Sequence, residues 1–320
     1  MTNPRVSVVI PVRNGRDYLQ EALNSVLQQS FVDLELLLIN DGSKDDDYDR
    51  YALQDKRIRV IHLTGVGVSR ARNVGMEQSR GELIAFLDAD DVWFPGKLLA
   101  QVRYLEEHCD VGVVFGKFIK WPELPEGGFV PSTSLTRDTS GLKTKEVARS
   151  GWLYTRLLEG LLVGMNTAVV RRSVYEAIGG FNESMRQGED YDFWLKASRI
   201  APMHSLDGEV ALYRIHSASA MHRLTTENQL SVLLSMATMR WGLSDQYGNH
   251  VSTQVFKRRV AATHFDHAYS HFWHGELKIA RRHFRKSLHG DHRKLRAILY
   301  MAISHPFIKK LIDLAFTRAN

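Results

Sequence analysis

The 320-residue sequence predicts an α/β fold, an open and mostly parallel sheet with helices on both faces, followed by a helical C-terminal extension. Three observations predict it. Near-continuous apolar runs, suited to strands buried on both faces, alternate with helix-spaced segments in the first part of the chain. Acidic residues gather where those runs end, along the rim on which open α/β sheets hold ligands. From about residue 224 the pattern is helical throughout, and residues 253 to 320 hold 14 Lys and Arg against 4 Asp and Glu. A sheet domain over residues 1 to 220 and a helical region over 221 to 320 follow from this division.

Val6-Ser7-Val8-Val9-Ile10-Pro11 reads as the first strand, and Tyr18 to Gln29 has helix spacing through Leu19, Ala22, Leu23, Val26 and Leu27. A second strand, Leu34 to Ile39, ends in the turn signal Asn40-Asp41-Gly42-Ser43. Arg57 to Leu63 reads as a third strand, Val68 to Arg80 as a helix, Glu82 to Leu87 as a fourth strand, and Pro95 to His108 as a helix before the strand Val111 to Phe115. Residues 117 to 150, with Pro122, Pro125, Gly127-Gly128 and Pro131, read as a long excursion or lid. Beyond it come the apolar runs Leu153 to Leu162 and Thr167 to Val170, the turn Gly179-Gly180, a helix near Tyr191 to Ser198 and a strand Val210 to Tyr213.

Chemistry concentrates at strand ends. Asp88, Asp90 and Asp91 follow the apolar run Leu83 to Leu87, where burial and mutual repulsion oppose ionisation unless a cation takes up the charge. Carboxylate oxygens suit Mg²⁺ or Mn²⁺, but an acidic first helix turn explains Asp90-Asp91 as well. Asp41 could accept hydrogen bonds from a nucleobase imide or cap a helix beginning near Lys44. On a helix, Arg70 and Asn73 share a face and Arg72 points elsewhere. Glu189 and Asp190 open a helix, where caps compete with a general-base role. In Tyr213-Arg214-Ile215-His216, alternation puts Arg214 and His216 on one side, where either could meet phosphate and His216 could ligate metal.

In their order these motifs resemble the family 2 inverting glycosyltransferases with a GT-A fold. The resemblance covers about residues 4 to 217 and rests on Val8-Val9-Ile10-Pro11-Val12-Arg13-Asn14, Asn40-Asp41-Gly42-Ser43, Ser69-Arg70-Ala71-Arg72-Asn73-Val74-Gly75 and Phe86-Leu87-Asp88-Ala89-Asp90-Asp91, then on Gly179-Gly180-Phe181, Glu189-Asp190 and Tyr213-Arg214-Ile215-His216. It implies a nucleotide-sugar donor, a UDP-sugar, with Mn²⁺ or Mg²⁺. Pro11 and Asn14 would line the nucleotide pocket, Asp41 would read the base and Arg72 would approach the donor, with Arg214 near its phosphates. Asp88 would meet ribose or metal, Asp90 the metal directly, and His216 the metal or diphosphate. Asp190 would be the general base with Glu189 beside it. Arg13 departs from the family, which often carries an aromatic residue there, so base stacking would be either lost or replaced by guanidinium stacking.

Composition is that of an ordinary globular protein, 44% hydrophobic and 24% charged. The single Cys109 excludes a disulfide framework and a thiolate-rich zinc site and fits a reducing, cytoplasmic setting. The N-terminus shows no signal-peptide pattern, and no run of about 18 apolar residues predicts a spanning helix. Phe256 to Ser270, Leu277 to Leu288 and Leu295 to Phe316, interrupted at Pro306, interleave apolar and basic positions, with Phe272, Trp273, Phe284 and Tyr300 as amphipathic anchors. They suit either docking on the anionic inner face of a membrane or a helical cap with a solvated basic face. The eight His between 264 and 305 lack a tight ligand spacing. The expected acceptor is a glycan or lipid-linked hydroxyl, with no nucleic-acid partner. The rivals are a nucleotidyltransferase, whose glycine- and basic-rich phosphate loop is missing between Ile10 and Tyr18, and a non-catalytic basic scaffold for nucleic acid or membrane on the same fold.

Overall fold

A computed structural model describes residues 3–185, 187–217, 224–290 and 292–304. They fall into two compact units, Met1–Leu153 with Leu161–Ser219, and Tyr154–Gly160 with Ala220–Asn320.

The first unit runs β1 (Val6–Val12), α1 (Arg16–Leu27), β2 (Leu34–Asp41), α2 (Asp49–Ala52), β3 (Ile58–Leu63), α3 (Val68–Gln78), β4 (Leu83–Phe86), β5 (Val92–Trp93), α4 (Lys97–Glu107), β6 (Val113–Pro122) and α5 (Ser132–Leu135). After α6 (Tyr154–Glu159), which belongs to the second unit, come β7 (Val169–Arg171), α7 (Arg172–Ile178), α8 (Glu189–Ala197) and β8 (Met203–Ile215). One sheet results, in the order β3-β2-β1-β4-β7-β6-β8-β5. Strands β3, β2, β1 and β4 are mutually parallel, as are β6 and β8, whereas β7 runs antiparallel to β4 and β6, and β5 to β8.

Every residue of β1 and β2 is buried, which is why both read as unbroken apolar runs. The polar exceptions satisfy each other: Ser7 Oγ donates to Glu35 Oε1 at 2.7 Å, and Arg80 donates to Glu35 through its backbone and its guanidinium. Leu19, Leu23 and Val26 of α1 and Leu98 and Leu105 of α4 pack in the same core, each apolar side chain contributing roughly 1.5–3 kcal/mol. Helix α3 lies close on the sheet because Gly75 has no side chain; a Cβ there would stand 2.4 Å from Val9 Cγ1. This packing leaves the carboxyl ends of β1, β2 and β4 on one rim.

Two expectations need correction. Residues 117 to 122 are not part of an excursion but continue β6, paired with β8 through Lys120↔Tyr213 and Trp121↔Arg214. A register irregularity at Phe115 to Phe118 hides this continuity, and it falls at Gly116, where a Cβ would meet Val210 at 2.8 Å. Strand β8 accordingly spans 13 residues, well beyond Val210 to Tyr213.

The second unit contains α6, α9 (Gln229–Trp241), α10 (Thr253–Trp273), α11 (Leu277–Ser287) and α12 (Lys294–Ile303). Asn228 and Ser252 cap α9 and α10 by accepting from Ser231 N and Val255 N. Phe265, Ala268, Ala280, Phe284 and Ala297 form the core of this unit. The expected helix from Leu295 toward Phe316 is seen only as α12; Pro306 and the residues around it lie outside the described residues. Among the described residues, no helix is long and apolar enough to cross a membrane.

Candidate active site

At the end of β1 the chain turns through Asn14, which adopts a left-handed φ of 53°. Its side chain explains the strain: Asn14 Oδ1 accepts from Lys44 N at 3.0 Å while Asn14 N donates to Ser43 Oγ at 2.9 Å, tying the loops after β1 and β2 together. Pro11 is buried in β1. Asp41, 4% exposed, accepts from Val66 N at 2.6 Å and Gly67 N at 2.8 Å. Asp41 therefore braces the loop that leads into α3 and does not cap a helix near Lys44, and each carboxylate oxygen retains a lone pair.

Next on the rim stands an acidic centre built around a buried arginine. Arg72 Nη2 donates to Asp88 Oδ1 at 2.7 Å and Nη1 to Glu189 Oε1 at 2.9 Å. Burial opposes its charge, but the two carboxylates hold it firmly protonated. Arg72 is thus a strut between α3, the loop after β4 and the start of α8. Arg70 instead pairs with Glu77 and Glu183 on an exposed face, and Asn73 donates to Phe181 O and Glu183.

Asp90 lies beside His216, with Oδ2 and Nε2 3.0 Å apart. Burial and then repulsion from Asp88 push its carboxyl up. Asp91, 1% exposed, does not cap α4, whose N-cap is Gly96. It accepts from Arg214 N at 2.9 Å and Asn166 Nδ2 at 2.6 Å, fixing β8 and a short turn to the acidic loop.

The expectation that Arg214 meets phosphate does not fit its surroundings. Its side chain is 3% exposed, donates to Asp90 O at 2.7 Å and to Glu21 Oε2 at 2.5 Å, and lies over the rings of Trp121, Tyr18 and Phe129 at 3.8, 4.5 and 4.6 Å. The enclosed guanidinium supports the backbone of Asp90 from behind. Alternation does bring His216 to the same side, where its ring lies 4.9 Å from Tyr18.

Glu189 and Asp190 start α8 after the left-handed Gly188, where acidic groups suit the helix dipole. Asp192 is structural, pairing with Lys196 at 2.5 Å. Asp190 accepts from Tyr191 N, and burial followed by the Glu189 charge raises it to about 6, against the pull of Arg72. A carboxylate so tuned is a stronger base than an ordinary one and is still ionised at neutral pH.

Arg72, Asp88, Asp90, Glu189, Asp190 and His216 therefore form one connected centre, with Pro11, Asn14 and Asp41 on the neighbouring strand ends. The Asp90 carboxylate fits Mn²⁺ or Mg²⁺, and the His216 imidazole beside it favours the transition metal of the two. Among the described residues no three His, Cys, Asp or Glu side chains converge as a closed ligand set. The arrangement suits a cation that shares its coordination with water and substrate oxygens, as Mg²⁺ commonly does. Sequence reasoning missed Glu21, Asn166 and the Tyr18–Trp121–Phe129 cage, which partner Arg214 and Asp91 over long separations without any local signal.

The family model for glycosyl transferase family 2 matches residues 7–157. An uncharacterized glycosyltransferase of Rickettsia prowazekii is 30% identical over 231 residues, 71% of this chain and 69% of its own length. Other rickettsial relatives are 28 to 31% identical and longer, so that the chain spans about a third of their length. S. aureus TarS 1-349 in complex with UDP-GlcNAc matches with a TM-score of 0.61 at 18% identity, over 97% of this chain and 92% of that one. The mannosyltransferase PcManGT from Pyrobaculum calidifontis, in complex with GDP-Man and Mn²⁺, matches with a TM-score of 0.54 at 17% identity, over 100% and 85%. These likenesses give the fold as GT-A. At 30% identity to the Rickettsia prowazekii relative over 69% of that protein's length, and with the family model matched over residues 7–157, the chain belongs to glycosyltransferase family 2.

Proposed function

We propose that the protein is a metal-dependent inverting glycosyltransferase that moves a sugar from a UDP-sugar to a hydroxyl of a glycan or lipid-linked acceptor, in the building of a surface polysaccharide or glycoconjugate on the cytoplasmic side of a membrane. The observation that carries this reading is the Glu189–Arg72–Asp88 bridge, which ties the start of α8, where burial and Glu189 raise the carboxyl of Asp190, to the acidic loop whose Asp90 pairs with His216. UDP-GlcNAc in the TarS complex supports a uridine donor, and Mn²⁺ in the PcManGT complex supports a metal.

On this reading Asp41 offers its remaining lone pairs to the base, and Pro11 and Asn14 shape the pocket. A divalent cation held by Asp90 and His216 would supply positive charge against the departing diphosphate. Asp190 takes the proton of the acceptor hydroxyl as that oxygen bonds to the anomeric carbon and the bond from that carbon to the diphosphate oxygen breaks. Attack from the face opposite the leaving group inverts the anomeric configuration. Arg72 keeps Asp88 and Glu189 in place with one Nη on each carboxylate.

In the second unit, exposed Trp273, Leu295 and Leu299 together with Arg293, Lys294 and Arg296 support docking on an anionic membrane surface. Co-sedimentation with phosphatidylglycerol vesicles that weakens with salt is the expected result, and binding equal to that on neutral vesicles rejects the docking. The test of the activity is a thermal-shift panel of nucleotide diphosphates and nucleotide sugars with Mn²⁺ or Mg²⁺, followed by product analysis. UDP with metal should give the largest shift, and Asp90→Ala should remove the metal-dependent part and lower transfer by about 10³-fold. Full transfer in the presence of a chelator would sink the metal role.

A further inference from the structure

One face of the β6/β8 pair carries two aromatic rings and a lysine. Lys120 and Tyr213 are register partners and so project from the same face, with Phe118 two residues before Lys120 on that face too. The rings of Phe118 and Tyr213 lie 5.5 Å apart, tilted by 56°. Phe118 is 39% exposed. Lys120 is exposed, and no acidic side chain among the described residues pairs with it.

This face is anchored to the acidic centre. Arg214, next to Tyr213, holds Asp91 through its backbone N–H at 2.9 Å. The turn that carries Asn166, the other partner of Asp91, brings Gly164 so close to Phe118 that a Cβ would stand 3.1 Å from the ring. Burial raises the Tyr213 hydroxyl first, and the charges of Asp91, Asp88, Asp90 and Asp190 raise it further.

We propose that Phe118, Tyr213 and Lys120 form an acceptor subsite that takes a pyranose ring bearing an anionic substituent. The C–H face of a sugar packs on aromatic rings, the Tyr213 hydroxyl offers a polar edge, and Lys120 pairs with a carboxylate or phosphate on the ring. The inference rests on the reading of Asp190 as base and of the neighbouring rim as donor site.

The test is saturation-transfer NMR on the full chain, with and without UDP and Mn²⁺, using methyl β-D-glucuronide, methyl β-D-glucoside and the glucoside 6-phosphate as probes. The wild type should bind at least one anionic probe about tenfold more tightly than the neutral glucoside, a difference equal to one charge-assisted contact. The two anionic arms tell carboxylate from phosphate recognition. Lys120→Gln should abolish the preference while leaving glucoside binding intact. Phe118→Ala, at an exposed position that tolerates truncation, should weaken every probe about tenfold while UDP binding persists, and Tyr213→Phe should retain ring packing. Unchanged probe binding in Phe118→Ala, or a preference that survives Lys120→Gln, overturns the proposal. Absence of UDP binding by the wild type would instead overturn the donor reading, and the probe series would still report on the subsite.

Discussion

At the residue scale, the site depends on carboxylates held in unequal states. Asp190 sits above its ordinary range because burial and Glu189 disfavour its charge, so its basic form is gained as pH rises through about 6. The transfer rate should climb over that range and level off near neutrality, as a kcat profile against pH would read. Asp190→Asn should lower turnover by about 10²–10⁴-fold with nucleotide binding nearly intact. Retained turnover would assign the base elsewhere. Arg214 belongs to the same scale although it touches no substrate. A lysine cannot keep its fork on Glu21 and Asp90 O or its packing against three rings, so Arg214→Lys should cost about 2 kcal/mol of stability and lower kcat more than it raises donor KM. Asp88, Asp90, Glu189, Asp190 and His216 were all legible as candidates because they lie in short ordered motifs. Arg214 was legible as a residue and misread in its role, since Glu21 and the aromatic cage reach it from distant parts of the chain.

At the scale of elements, strands buried on both faces declared themselves and the partly exposed β6 did not. Phe118 and Lys120 alternate with Ile119 and Trp121 in β6, but the register irregularity at Gly116 and the prolines beyond disguised a strand as a loop. Helix α4 carries another feature with no sequence signal. Lys97 is fully buried over the Trp93 ring at 4.0 Å, its Nζ has no hydrogen-bond partner, and burial alone holds it well below the usual lysine range. An amine buried there without a hydrogen bond is a desolvated polar group with little return. Lys97→Met, which keeps the length and packing, should raise stability by about 1 kcal/mol, visible as a higher Tm. A lower Tm would show that the amine is charged and paired in solution.

At the scale of the molecule, the second unit carries a pH liability of its own. His264, His267 and His283 cluster between α10 and α11, with His264 and His283 Nδ1 atoms 3.1 Å apart and the His267 and His283 rings 4.4 Å apart. Burial first, then neighbouring histidines, Lys286 and Arg282, hold them down to about 4, 4 and 3. They are neutral in the folded unit, while in the unfolded chain they take up protons below 6.5. Stability should therefore be full above that value and fall as pH drops toward 4, by up to about 1.4 kcal/mol per pH unit for each histidine. Melting curves between pH 7.5 and 5 would read the loss, and His283→Leu should flatten it. The histidines were visible as a basic-rich helical stretch, but spacing along one helix could not disclose a partner on the next.

Arg214 reaches Asp91 across 123 residues and Glu21 across 193. During synthesis α1 and the acidic loop emerge first, and both must wait for β8, among the last parts of the first unit to be made. Contacts of such sequence separation form late because the intervening chain has to be ordered before they give any return. A nascent chain that has not yet released β8 therefore carries every metal-ligand candidate except His216 and still lacks the clamp that orders them. Ribosome-stalled chains ending before Met203 should show no metal-dependent nucleotide binding, so that catalytic competence and completion of the sheet arrive together.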